Sequence, residues 1–137
     1  MSSHADALLV TCIDFRFWEK VSNVVKSLYK IQTMDIISFP GGVKSIVDDG
    51  VHSPVLENIR LSVTLHSVDK IVLVNHRDCG AYGGSGAFAD REGELDTHFN
   101  DLEAAKDILH REFPEKEIII SFADMKSGMV DIVKEHQ

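Results

Sequence analysis

Short apolar runs alternate along the chain with longer stretches that carry a helical apolar stripe. Ala7 to Thr11 (Ala-Leu-Leu-Val-Thr) contains no charged residue, the pattern of a strand covered on both faces, as in a parallel sheet. Phe17, Val21, Val24, Val25 and Leu28 then recur at three- and four-residue steps, which predicts a helix with one buried face. Met34 to Phe39 is strand-like again, and Pro40-Gly41-Gly42 stops it. Val43 to Ser53 has no clear period and reads as a loop with room for one helical turn. Ser53-Pro54 offers a capping hydroxyl and a proline at the first helical position, and Val55, Ile59 and Val63 give the helix that follows its face. Lys70 to Asn75 is apolar and β-branched, a strand. Beyond the glycine-rich Gly80 to Gly93, a helix from about Thr97 to Arg111 would bury Phe99, Leu102, Ala105 and Leu109. Glu117 to Phe122 is the last clear strand. The segment after Gly128, with Met129, Val130, Ile132 and Val133, fits either an edge strand or a short helix.

Strands alternating with helices predict an α/β fold: three layers around a central, mainly parallel sheet of four to five strands. The 137 residues suit one domain, 1–137, long enough to bury a core without disulfides or metal staples. In open sheets of this kind ligands gather at the carboxyl ends of strands, where the strand order reverses. The residues just past strand ends therefore matter most.

Composition narrows the partners. The net charge is −8, with acidic residues spread along the chain and no basic cluster, which argues against nucleic acid. No run approaches the length of a membrane span, and the start lacks the pattern of a signal peptide. With only two cysteines, Cys12 and Cys79, far apart in sequence, a disulfide scaffold is not expected and a reducing, cytoplasmic setting is.

Those two cysteines carry the candidate chemistry. Cys12 follows the first predicted strand, and His76 and Cys79 follow the Lys70–Asn75 strand. If the two strands are neighbours, two thiols and an imidazole meet at one place, a donor set that suits zinc. Three protein ligands leave a fourth position for water, as in a catalytic site. Gly80, directly after Cys79, lets the backbone fold closely there.

Cys12-Ile13-Asp14-Phe15-Arg16 resembles the Cys-x-Asp-x-Arg motif of the β-class carbonic anhydrases. His76-Arg77-Asp78-Cys79-Gly80 resembles that family's His-x-x-Cys-Gly motif, and the separation of about sixty residues matches as well. Phe122 to Gly128 is similar to the family's last-strand segment. The resemblance implies Cys12, His76 and Cys79 as zinc ligands and Asp14 with Arg16 as a catalytic dyad beside the metal. It implies reversible hydration of carbon dioxide to bicarbonate by hydroxide formed at zinc, with Asp14 a fourth ligand in a closed state. It also implies a homodimer or higher homo-oligomer. Alternatives on the same ligands are a hydrolase of carbon disulfide or carbonyl sulfide, a zinc-binding protein without activity, and a redox switch pairing Cys12 with Cys79.

The chain departs from the family at Phe15, where a small residue is usual, and in the apolar loop Phe39 to Val43. Phe17, Trp18, Tyr82 and Phe88 are candidates for a pocket or interface. His4, His52, His66, His98, His110 and His136 read as surface or helix residues, and Asp78 as a residue that bonds its own backbone.

Overall fold

Leu8 and Val10 face one core and Ala7 and Leu9 another, so β1 (Ala7–Thr11) is buried along its whole length. The computed structural model describes residues 3–134; His136 lies outside the described residues. Among these, β1 is followed by α1 (Trp18–Leu28), β2 (Met34–Ser38), α2 (Lys44–Asp49), α3 (Pro54–His66), β3 (Lys70–His76), α4 (Arg91–Glu112), β4 (Glu117–Lys126) and β5 (Met129–Val133). The strands form one sheet in the order β2-β1-β3-β4-β5. The first four are parallel, and β5 returns antiparallel along β4. Central Val10 lies opposite Ile37 of β2 and Leu73 of β3.

Two apolar clusters sandwich the sheet. Leu8, Val10, Ile71 and Leu73 pack with Ile46 of α2, Ile59 of α3 and Leu102 and Leu109 of α4. On the other face Ala7, Leu9, Val72 and Val74 pack with Val21 and Val25 of α1. This is the expected three-layer arrangement. No helix among the described residues is long and apolar enough to cross a membrane.

Local chemistry sets the helix ends. The Ser53 hydroxyl accepts from the Leu56 amide at 3.1 Å, and Pro54 opens α3 as its sequence predicts. Three elements differ in extent from the sequence reading. Lys44–Asp49 forms a true helix, because Ile46 is fully buried against the core and tertiary packing outweighs a weak local pattern. α4 begins at Arg91 rather than near Thr97: Asp90 caps it by accepting from the Gly93 amide at 2.7 Å. β4 also runs on past Phe122 to Lys126, and of the two readings of the tail the strand is realised, pairing Phe122 with Val133 and Lys126 with Met129.

Candidate metal centre

Strand order turns around at β1. One crossover leads from β1 outward to β2, the next brings the chain back to β3 on β1's other side. A crevice therefore opens between the carboxyl ends of β1 and β3. Cys12 is the first residue past β1, His76 is the last of β3, and Cys79 lies in the turn that follows.

The three side chains converge. The two sulfurs are 3.9 Å apart, and these with a ring nitrogen of His76 all lie within 4.8 Å of one another. All three residues are buried. His76 Nδ1 lies 2.7 Å from the Arg77 carbonyl oxygen, which can only accept, so Nδ1 carries the proton. Nε2 is thereby left with its lone pair, buried and without a partner. Burying such an atom unpaired is costly unless something fills the place. Two thiols and an orphaned imidazole nitrogen fit a tetrahedral zinc ion, and no carboxylate is needed to complete the protein's share.

The surroundings fix these donors. The Phe17 ring stacks on His76 with centroids 4.4 Å apart and shields it. The Gly41 amide donates to Cys12 Sγ at 3.4 Å. The Pro40-Gly41-Gly42 turn can come this close because Gly41 and Gly42 adopt φ of +83° and +59°, and a side chain on Gly42 would meet Asn75 Oδ1 at 2.9 Å. The contact between the two thiols draws the Cys12 pKa down and pushes Cys79 up, with burial adding to the rise at Cys79. A bound dication would ionise both.

Asp14 and Arg16 stand beside this cluster. Arg16 donates from Nε to Asp14 Oδ1 at 3.0 Å and from Nη2 to Oδ2 at 2.6 Å, a bidentate pair. Those bonds hold the Asp14 pKa down to about 2 against the opposing effect of burial. Asp14 Oδ2 lies 3.9 Å from His76 Nε2, close enough for a small molecule at the cluster to touch it. In front lies a cleft of about 320 Å³ lined by Cys12, Ile13, Asp14, Phe15, Pro40, Gly80 and Ala81. Its rim is apolar, and Phe15 on it is 86% exposed. A larger groove of about 620 Å³ along α4 and β4 has no cysteine or histidine in its lining.

Several neighbours of the site were not legible in the sequence. Asp78 accepts from the Ser85 amide at 2.8 Å, but it also accepts from Arg16 Nη1 at 2.9 Å. Glu94, in the first turn of α4 ahead of the expected start near Thr97, is 1% exposed and bonds Arg77, Ser85 and the Asp78 amide. Arg77 also pairs with Asp124, which Arg91 joins. His98 sits on a helix as expected but is fully buried, packed on Tyr82 and Phe122. His4, His52 and His110 are exposed and His66 half-buried.

The family model described as "Putative carbonic anhydrase" matches residues 2–134. An uncharacterized protein of Rickettsia conorii is 28% identical over 139 residues, covering 97% of this chain and 74% of that protein. One from Rickettsia bellii is 25% identical over 140 residues, covering 98% and 85%. Among solved structures, a tetrameric beta-carbonic anhydrase from Sordaria macrospora superposes with a TM-score of 0.66 at 17% identity, covering 97% of this chain and 82% of that one. A beta-carbonic anhydrase from Trichomonas vaginalis gives 0.51 at 17%, covering 99% and 86%. The fold is thus that of the beta-carbonic anhydrases, and by the family match over nearly its whole length the chain belongs to the carbonic anhydrase family that the model describes.

Proposed function

We propose that the chain is a zinc-dependent carbonic anhydrase that interconverts carbon dioxide and bicarbonate. The observation that carries this reading is the buried, unpartnered His76 Nε2 converging with two thiols beside an ionised Asp14. Cys12, His76 and Cys79 would hold the ion. Zinc bound there would act as a Lewis acid, bringing the deprotonation of water toward neutral pH.

The protein's own residues supply the rest. Asp14, kept ionised by Arg16, accepts a hydrogen bond from the attacking water at Oδ2 and orients its lone pair toward the cleft. Arg16 holds Asp14 in the acceptor state, with its bidentate grip fixing the plane of the carboxylate. Ile13, Phe15, Pro40 and Ala81 line the approach with apolar surface, which suits an uncharged linear molecule. The same rim would admit carbon disulfide or carbonyl sulfide. We assign the chain as one domain, in a reducing cytoplasm where both thiols persist, and as a homo-oligomer. The exposed Ile13, Phe15 and Trp18 support the last point, as does the tetrameric state of the Sordaria enzyme.

Metal analysis of purified protein with stopped-flow carbon dioxide hydration tests the proposal. The expected result is one zinc per chain and measurable hydration. Cys12→Ala should lose the zinc, and Asp14→Asn should keep it while losing hydration by roughly 10²-fold or more. Zinc bound without hydration, and turnover of a sulfur analogue instead, would move the assignment to the hydrolase.

A further inference from the structure

Asp14 and Arg16 sit two residues apart on the same loop, so their mutual bonds do not locate the pair relative to the opposite wall of the site. That wall is the turn from His76 to Gly80. The hydrogen bonds that join the pair to this turn run from Arg16 to Asp78: Nη1 to Oδ2 at 2.9 Å and Nη2 to the Asp78 carbonyl oxygen at 3.0 Å. Arg16 thus makes four side-chain hydrogen bonds, two to Asp14 and two to Asp78. A guanidinium held on both sides cannot turn toward one carboxylate without leaving the other.

Asp78 is itself held. Its backbone lies at φ +59°, a left-handed conformation uncommon outside glycine. Its Oδ1 accepts from the Ser85 amide, and its own amide donates to Glu94 Oε2 at 2.8 Å. Glu94 accepts in addition from the Ser85 hydroxyl and, at 2.9 Å, from Arg77 Nη1. Arg77 is anchored on Asp124 of β4 at 3.1 Å. A buried ionic group of this kind adds little stability by itself. What it provides is geometry, from β4 and α4 through the turn to Arg16.

We infer that Asp78 is a positioning residue, supported by Glu94, which ties Arg16 to the ligand-bearing turn and so fixes Asp14 beside the ligand cluster. The inference rests on the proposed function for its consequence in catalysis. Its structural half stands apart from that reading. Loss of the tie frees Asp14 and Arg16 to move as a unit, away from the acceptor position that hydration needs.

The test is Asp78→Asn, which keeps an oxygen for the Ser85 amide and puts an amide in place of the oxygen that Arg16 uses. Asp78 is about half exposed, with 49% of its side chain in solvent, so the substitution leaves the core untouched. Solvent exchange of the Arg16 Nη1 protons, one of which donates to Asp78 Oδ2, is read by nuclear magnetic resonance alongside zinc content and hydration rate. The expected result is exchange faster by about tenfold. Amide protection in β3 and zinc content should not change, and hydration should slow by 10- to 100-fold at roughly constant KM. Asp78→Glu should recover part of both. Unchanged Arg16 exchange overturns the inference, as does faster exchange with full hydration. Faster exchange in a chain whose wild type neither binds zinc nor hydrates carbon dioxide upholds the tie and counts against the proposed function alone.

Discussion

A histidine enclosed by Tyr82, Phe88 and Phe122 has no water to stabilise its charge. Burial lowers the His98 pKa from its usual 6.5 to about 4. Asn75 donates to Nδ1 at 2.9 Å, and its own oxygen accepts from the Val43 amide, so the neutral ring carries its proton on Nε2. The unfolded chain binds this proton between pH 6.5 and 4 and the folded chain does not. Stability is therefore lost as pH falls through that window, by an amount on the order of 3 kcal/mol from this group. Urea denaturation at pH 7 and pH 4.5 should show a smaller difference for His98→Phe than for the wild type. The convergence of Cys12, His76 and Cys79 was legible because residue type and strand-end position sufficed to single them out. His98 was not, since a polar residue in a helical register gives no sign that aromatic rings will close over it. Asp78 was half legible: its place in the turn suggested a bond to nearby backbone, which it makes to the Ser85 amide, but its hold on Arg16 depends on a residue 62 positions away.

At the scale of elements, the caps decide how the helices meet. Ser53 caps α3 and also shares a 2.8 Å hydrogen bond with Ser45 of α2, both hydroxyls buried. Ser53→Ala would remove the cap and leave the Ser45 hydroxyl unpaired, costing about 1–2 kcal/mol. Thermal unfolding should register this as a drop of several degrees. The start of α3 could be read from Ser53-Pro54 because both residues act locally. The first turn of α4 could not: Arg91, Glu92, Gly93 and Glu94 have no apolar period, and a glycine there argues for a loop. Asp90 was the available signal, a capping carboxylate three residues before the amide it accepts. Missing that turn also hid Glu94, whose burial follows from the helix rather than from its own chemistry.

For the whole molecule, the two apolar clusters on either side of the sheet do the folding, and the Cys12, His76 and Cys79 cluster sits at one end of it. Leu9→Ala, deep in β1, should cost 2–5 kcal/mol. If zinc binds as proposed, removing it with a chelator should leave the far-ultraviolet circular dichroism intact and lower the melting temperature, because bound metal stabilises the native state alone. Collapse of the spectrum on chelation would show instead that the metal, not the core, holds the fold. The α/β class and the mainly parallel sheet were legible from alternating periodicities. The turnaround of strand order at β1 was not, since crossover side is a property of the assembled sheet. Because four strands run the same way, the chemistry occupies one rim and the turn at Pro114 and Glu115, which leads into β4, occupies the other. The seven residues of β3 put roughly 20 Å between the two rims. A dye or surface linker attached at exposed Glu115 would leave the cleft free to solvent, giving the molecule a natural handle for immobilisation.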